Sequence, residues 1–139
     1  VEEEEEEVVP FEPTAEDIAN GQLLFSGEQP FKNGGPSCIS CHHVMKDDMI
    51  AGGDLAVDLT DSFERLGKEG IEGMIVGLPF PQMKVSYKDH QITEEETFQL
   101  IAFLKEASEQ RYYQRQASYN GAFLFWGQFR PDDKLVQST

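Results

Sequence analysis

The stretch "GGPSCISCHHVMKDD" contains the only two cysteines of the chain, Cys38 and Cys41, and His42 directly follows the second one. If this stretch forms one helical turn, residues at positions i, i+3 and i+4 project to the same side. Two thiols can then form thioether bonds with the two vinyl groups of one porphyrin, while the imidazole reaches the iron. Cys-x-x-Cys-His is the attachment pattern of a c-type haem. The residues therefore predict one covalently bound haem c, with His42 as an axial ligand of the iron.

Three other uses of these residues stay open at this point. A structural zinc site needs about four ligands, and the only further histidines are His43 and His90. A redox-active dithiol is expected near a βαβ pattern, which the sequence does not show. A plain disulfide gives His42 no role. Haem attachment is favoured because the remaining chain supplies what a haem needs.

The second axial ligand is sought among the four methionines of the chain. Met45 and Met49 follow His42 too closely to reach the opposite face of a porphyrin. Met74 lies in an apolar pattern of helical spacing, which favours a place in the core. Met83 lies in "LPFPQMKV", which predicts an extended, proline-rich loop able to carry a thioether across the haem edge. Met83 is therefore the predicted axial ligand, and the alternative is a methionine that fills a gap in the core.

The first predicted helix covers residues 14–26. Thr14 can cap it, Asp17 follows three positions later, and Gly27 can end it. Residues 27–37 are rich in Gly, Pro and Asn and predict a loop that leads to the cysteines.

Helices are also predicted further along the chain, with short ones over residues 60–67 and 71–77. The segment "LPFPQMKVSYKDHQ" has two prolines and no lasting period, so it is expected to be an ordered loop. The clearest helix starts at Thr93, where Glu96 can complete a capping box. No strand pattern is convincing, so the predicted fold class is all-α with four to five helices.

The charge is unevenly distributed. The formal net charge is -15, and residues 1–16 contain eight carboxylates and no Lys or Arg, which leaves -7 for the remainder. Residues 1–13 are predicted to be an acidic, disordered tail and linker, because a run of like charges repels itself and buries nothing. Nucleic acid is not an expected partner. The acidic remainder favours redox partners with a basic docking surface.

These features resemble class I mono-haem cytochromes c over about residues 14–107. In that family a glycine and an aromatic residue on the first helix pack across a leucine and an aromatic residue on the last helix. Gly21, Phe25, Leu100 and Phe103 match those positions. The resemblance implies a cytochrome c domain over residues 14–108, folded around one haem.

A second segment, "GGDLAVDLT", resembles the family loop whose carbonyl accepts the free N–H of the axial histidine. Val57 stands where the family usually has proline, so the resemblance implies that the Val57 carbonyl orients the imidazole. Arg65 and Lys84 are the implied counter-charges for the haem propionates. Tyr87 is a candidate for a hydrogen bond near the haem, against ordinary packing.

The resemblance implies a single-electron carrier rather than a stand-alone enzyme. With His42 and Met83 on the two sides of the iron, no coordination position is open to a small substrate, and the sequence shows no separate catalytic constellation. The implied donor is a quinol-oxidising or other respiratory complex, and the implied acceptor is a terminal oxidase or another haem protein. Attachment of haem c implies a periplasmic location or the outer face of the energy-transducing membrane.

Residues 109–139 extend beyond a minimal cytochrome and are predicted to form a helical extension. They carry seven aromatic residues: Tyr112, Tyr113, Tyr119, Phe123, Phe125, Trp126 and Phe129. One interpretation is that these side chains cover the cytochrome core. Another is that residues 112–129 dock the chain onto a membrane respiratory complex as a haem subunit or adaptor. No apolar stretch approaches the roughly 18 residues of a spanning helix, so membrane association is expected only through a partner or a removed anchor.

In a further interpretation, one coordination position of the iron is open to small molecules. If Met83 is easily displaced, the same scaffold would suit a gas-binding haem protein, with His43 and His90 as candidate groups near the ligand.

Overall fold

The computed structural model describes the backbone of residues 10–46 and 48–128 and the side chains as far as Arg111. Its helices, in chain order, are α1 (Ala15–Ser26), α2 (Ser62–Gly77), α3 (Pro81–Tyr87) and α4 (Glu94–Gln128), with a 3-10 turn at Cys38–Ser40 between the first two. This part of the chain contains no strand, so the all-α prediction is confirmed for it. The predicted acidic run and the last eleven residues lie outside the described ranges.

Helix α1 forms where the sequence predicts it. The Asp17 N–H donates to the Thr14 hydroxyl at 3.2 Å, and the Thr14 N–H donates to the Asp17 carboxylate at 2.9 Å. This reciprocal capping box satisfies donors that have no partner inside the helix. Gly27 ends the helix in the left-handed region, with φ of 81°. A residue with a Cβ is disfavoured in that conformation.

Helix α2 agrees in outline with the sequence prediction of two short helices over residues 60–67 and 71–77. The element Ser62–Gly77 consists of two helical stretches that meet at a kink at Gly67, and the second stretch begins earlier than predicted. Gly67 has φ of 68° and ψ of 179°, far from helical values. Since glycine reaches this conformation without steric cost, the chain bends there and resumes the helix at once.

Helix α3 was not predicted, and the expectation of an ordered loop for "LPFPQMKVSYKDHQ" is wrong at Pro81–Tyr87. Pro81 occupies the start of the helix. Proline suits this position because its φ is already helical and its missing N–H would have no partner there. Met83 is therefore carried on a helix and not on an extended loop.

Helix α4 is the longest element, with 35 residues. Its start is the predicted capping box, in which the Thr93 N–H donates to Glu96 at 3.0 Å and the Glu96 N–H donates to the Thr93 hydroxyl at 3.2 Å. The helix continues without a break across the predicted domain boundary after residue 108. Ser108 is the last buried residue among those whose side chains are described. Within residues 10–46 and 48–128, no helix has the length and apolarity needed to cross a bilayer.

The core forms where α1 crosses α4. A Cβ placed on Gly21 would lie 2.0 Å from the carbonyl oxygen of Gln99 and 2.8 Å from the Cβ of Phe103. The rings of Phe25 and Phe103 are 5.2 Å apart between centroids, and Leu100 is buried beside them. The predicted crossing is therefore present, because a missing side chain lets the two backbones touch.

The end of the predicted linker is anchored to the helices. The Phe11 ring lies 5.1 Å from the Phe98 ring in an edge contact and 6.2 Å from the Phe63 ring in a stacked contact. Lys68 places its ammonium 5.9 Å above the Phe11 ring. Phe11 thus connects the non-helical segment before α1 to α2 and α4.

Candidate functional site

The cysteine segment folds as a single turn. The Cys41 N–H donates to the Cys38 carbonyl at 3.2 Å, and the His42 N–H donates to the same carbonyl at 2.9 Å. These two bonds define one helical turn between Cys38 and His42. The two cysteines are free thiols, with no disulfide between them. The structure therefore brings both thiols and the imidazole together on one turn, as the spacing predicts.

The His42 ring is held by the loop that follows. Its Nδ1 lies 2.7 Å from the carbonyl oxygen of Val57. Because a carbonyl can only accept, the ring must donate from Nδ1, which makes Nε2 the nitrogen available as a metal ligand. This is the bond implied by the resemblance, and it forms although Val57 replaces the usual proline.

The loop of residues 52–59 lies directly against the cysteine turn. Three backbone bonds join them: Gly53 N–H to Ile39 O at 2.8 Å, Ala56 N–H to Cys41 O at 3.1 Å, and Leu59 N–H to His43 O at 2.9 Å. A Cβ on Gly52 would lie 2.2 Å from the His42 carbonyl oxygen, and a Cβ on Gly53 would lie 2.4 Å from the Ser40 carbonyl oxygen. The two glycines thus permit a backbone approach that brings Val57 to the imidazole.

The Cys38 thiol lies in an apolar setting next to Tyr87. Burial raises the pKa of the Cys38 thiol to about 12. Burial also raises the pKa of the Tyr87 hydroxyl, and the neighbouring Cys38 adds to that shift. A protonated thiol is a poor nucleophile in disulfide exchange. The environment of Cys38 therefore gives no support to a redox-active dithiol.

Met83 lies on α3, apart from the cysteine turn in sequence. Its side chain is half-buried and packs against the hydrophobic core. Tyr87 follows one helical turn later, and its hydroxyl donates to the Pro36 carbonyl at 2.7 Å. Tyr87 therefore makes a hydrogen bond to the segment that precedes the cysteines, and its role near a haem stays a prediction. In contrast, the Met45 side chain is 58% exposed.

The two remaining histidines are engaged elsewhere. Nδ1 of His43 accepts from the Gly52 N–H at 3.1 Å, and Nδ1 of His90 lies 2.7 Å from the Asn33 carbonyl oxygen. In the part of the chain that the structure describes, no three His, Cys, Asp or Glu side chains are grouped to hold a metal ion. The geometry there gives no support to a structural zinc site.

The apolar residues expected around a haem differ in burial. Leu59, Phe63 and Ile75 pack against the core, and Phe103 is fully buried. Leu55 and Phe80, two further apolar residues that could border a haem, instead expose 84% and 53% of their surface. Both lie outside the core cluster.

The two proposed propionate counter-charges have different surroundings. The guanidinium of Arg65 pairs with the Asp61 carboxylate at 2.9 Å, one turn away. Lys84 is exposed on α3. The positive charge of Arg65 is thus already paired with the carboxylate of Asp61, which lies at the start of the same helix.

Sequence reasoning missed a polar cluster behind the turn. The buried Thr60 hydroxyl accepts from the Met45 N–H at 2.8 Å and donates to Asp58 at 2.5 Å, and Ser108 of α4 donates to the Thr60 carbonyl at 3.1 Å. Partial burial raises the pKa of Asp58, but the bonds from Thr60 and the nearby charge of Arg111 outweigh it, so this pKa is lowered. The Asp-x-Thr spacing just before a helix could have predicted the turn from Asp58 to Thr60, but not the contact of that turn with Ser108 of α4.

No protein-family model, curated protein or solved structure matches this chain. The residues present nevertheless fit a covalently attached haem by the chemistry of their donors. Two thiols share one turn, and the adjacent imidazole has a fixed tautomer with Nε2 available for iron.

Proposed function

We propose that the chain is a single-electron carrier with one haem c, attached through Cys38 and Cys41 and ligated by His42 and Met83. The observation that carries this proposal is the 2.7 Å contact between His42 Nδ1 and the Val57 carbonyl. An axial histidine nearly always gives its second ring nitrogen to such an acceptor. A solely structural role for His42 would not explain why it directly follows a Cys-x-x-Cys pair on the same turn, whereas haem attachment explains both.

Each of the residues around His42 has a separate role in this proposal. The Val57 carbonyl fixes the ring orientation and the tautomer. Gly52 lets the loop approach the backbone of His42 closely enough for that contact. Cys38 and Cys41 keep the attached group against the turn. A ring held in this way needs little rearrangement when the charge of its metal changes.

Met83 supplies the second ligand in this proposal. Haem iron between histidine and methionine takes up or releases one electron and has a raised reduction potential. In this proposal the thioether of Met83 would be the second protein ligand of the iron and would keep small molecules from binding it. The Met83 side chain packs against the hydrophobic core, as a core methionine also would, so the carbon monoxide experiment below is what separates ligation from packing.

The proposed partners are respiratory redox proteins with basic docking surfaces, acting at the periplasmic or outer membrane face. The donor is a quinol-oxidising complex or another respiratory reductant, and the acceptor is a terminal oxidase or another haem protein. The net charge of -15 supports attraction of a basic partner and predicts that the encounter weakens with salt. Such encounters bury a small surface and are short-lived.

The test is expression of the chain in a host that matures c-type cytochromes. We expect the purified protein to be heavier than the bare polypeptide by one haem, and this mass to persist under denaturing conditions. His42→Ala is expected to lose the reversible redox change. Mass equal to that of the polypeptide alone would overturn the proposal.

Carbon monoxide tests the role of Met83. The reduced protein is expected to bind carbon monoxide slowly or not at all, whereas Met83→Ala binds it promptly. Met45→Ala removes an exposed methionine from the same chain and is the matched control. Prompt binding by the unaltered protein would favour the gas-binding alternative instead.

A second candidate function is that of a haem subunit or adaptor permanently docked in a membrane respiratory complex through residues 112–129. The feature that favours it is the uninterrupted course of α4 to Gln128, across the boundary predicted after residue 108, together with the seven aromatic residues between Tyr112 and Phe129. Gentle purification of the native protein distinguishes the two functions. Stoichiometric recovery with a membrane complex supports the docked subunit, and recovery of free chain supports the carrier.

A further inference from the structure

Tyr87 joins two segments that are distant in sequence. It is the last residue of α3 and is 6% exposed. Its hydroxyl donates to the Pro36 carbonyl at 2.7 Å, and the same hydroxyl lies beside the Cys38 thiol. Its ring also meets the Phe31 ring edge-on, with centroids 6.2 Å apart. Both the ring and the hydroxyl of Tyr87 therefore contact the segment that leads to the cysteines.

Two further bonds join the same segments. Nδ1 of His90 donates to the Asn33 carbonyl at 2.7 Å, and the Asn33 side-chain amide donates to the Gln91 carbonyl at 2.7 Å. Gly35 has φ of 93°, and a Cβ there would lie 3.2 Å from the Tyr87 ring. The loop of residues 31–36 is thus closely fitted to residues 87–91. Among these contacts, only that of Tyr87 is buried and adjacent to a cysteine.

Helical spacing connects this contact to Met83. Residues four apart on a helix lie on the same face, so Tyr87 projects from α3 beside Met83, one turn away. Pro36, whose carbonyl accepts the Tyr87 hydrogen bond, precedes Cys38 by two residues. One buried hydroxyl therefore links the helix that carries the methionine to the turn that carries the thiols.

We infer that Tyr87 is a positioning residue, which holds the helix of Met83 against the Cys38 turn and so keeps the sulfur at the iron. This inference rests on the proposed function, because it assigns Tyr87 a role toward the second axial ligand. In this assignment Tyr87 is not a ligand of the iron. Its effect passes through the Pro36 carbonyl and the backbone of α3.

The chain offers a matched control one residue away. Ser86 is also on α3, and its hydroxyl donates to the Gln82 carbonyl at 2.9 Å within the same helix. Ser86→Ala and Tyr87→Phe each remove one hydroxyl from α3, but only the second change cuts the bond to the cysteine segment. Tyr87→Phe keeps the ring that packs against Phe31.

The first measurement is a titration of the ferric holoprotein with imidazole, which displaces the methionine ligand. The displacement is monitored by the loss of the absorption band of the thioether-ligated iron. Loss of one buried hydrogen bond is expected to raise the apparent imidazole affinity of Tyr87→Phe by about tenfold. Ser86→Ala is expected to stay within about twofold of the unaltered protein. Asn33→Ala weakens the same junction at an exposed bond, so a rise of about two- to threefold is expected.

The second measurement is amide hydrogen exchange over residues 36–42, compared with residues 100–104 of the core. Tyr87→Phe is expected to speed exchange of the first peptide about tenfold without a similar change in the second. Ser86→Ala is expected to change neither peptide.

The outcomes separate the two claims. Equal imidazole affinities for Tyr87→Phe and Ser86→Ala would overturn the positioning role while the proposed function stands. If the unaltered chain contains no covalent haem, the proposed function fails, and with it the role toward the ligand. In that case hydrogen exchange still decides whether Tyr87 secures the cysteine turn.

Discussion

The α1–α4 crossing and the turn that carries the cysteines are built by different means. At the crossing, apolar side chains are buried and Gly21 brings one helix against the backbone of the other. Around the turn, residues 38–46 and 48–60 are mostly irregular, and hydrogen bonds from a neighbouring loop hold His42 in place. The crossing therefore supplies much of the stability, whereas the loop supplies the orientation of the site. Substitutions in the two regions should affect different measurements.

The largest effect is expected from Gly21→Ala. The new Cβ would lie 2.0 Å from a backbone oxygen of α4, and a backbone atom cannot move aside as a side chain can. We expect a loss of about 3 kcal/mol in the free energy of unfolding, measured with urea.

The matched control for this prediction is Gly73→Ala on α2. Nothing lies within 4 Å of the position of its Cβ. Alanine there should stabilise the helix by roughly 0.5–1 kcal/mol. A similar loss for both variants would mean that the crossing has no special role.

A smaller change in stability is expected from Gly52→Ala in the loop. The new Cβ would lie 2.2 Å from the His42 carbonyl oxygen, so the loop must move away from the turn. We expect a loss of about 1–2 kcal/mol, together with faster amide exchange over residues 38–43.

Gly77→Ala serves as the comparison for Gly52→Ala, since its Cβ has no neighbour within 4 Å. The contrast between the two regions would be lost if Gly52→Ala reduced global stability as much as Gly21→Ala but left exchange at the turn unchanged.

A loss of about 1 kcal/mol is expected from Thr93→Ala. The variant removes the hydroxyl that accepts the Glu96 N–H at the start of α4. Thr93→Ser keeps that acceptor and should recover most of the lost stability in urea unfolding. Equal losses in the two variants would assign the effect to the methyl group and not to the cap.

The smallest effect is expected from Asp58→Asn, and it concerns pH. The pKa of Asp58 is lowered in the folded chain, so its carboxylate contributes stability above its unfolded pKa of about 3.9. That contribution is lost as the pH falls through the lower folded pKa. We therefore expect the unfolding free energy of Asp58→Asn to depend less steeply on pH between about 5 and 3. Thr60→Ser retains the hydroxyl that donates to Asp58, so its slope should match that of the unaltered protein.

The two helices that cross could be predicted because their determinants are local, whereas the crossing itself was expected only from the resemblance. A capping residue, a terminal glycine and an apolar stripe specify α1 and the start of α4 almost without reference to other elements. The cysteine turn was predictable for the same reason, since the spacing of Cys38, Cys41 and His42 by itself places them on one turn.

Helix α3 could not be predicted by the same rules. Two prolines in "LPFPQMKVSY" indicate a break, and only the position of Pro81 at the helix start makes it compatible with a helix. The interruption of α2 at Gly67 was predicted, since the first short helix was expected to end there. The return to a helix directly after Gly67 was not predicted, because a glycine in sequence does not specify its own φ. The Thr60 cluster depends on contacts between the loop and α4, which no local pattern contains.

The length of α4 has a mechanical consequence. A helix of 35 residues measures about 52 Å from end to end, since each residue adds about 1.5 Å. Buried side chains of its first half, from Glu96 to Ser108, pack in the core, and the helical backbone continues from there to Gln128 without a break. A continuous helix transmits load along its axis, so a pull near Gln128 would reach the residues that face Gly21.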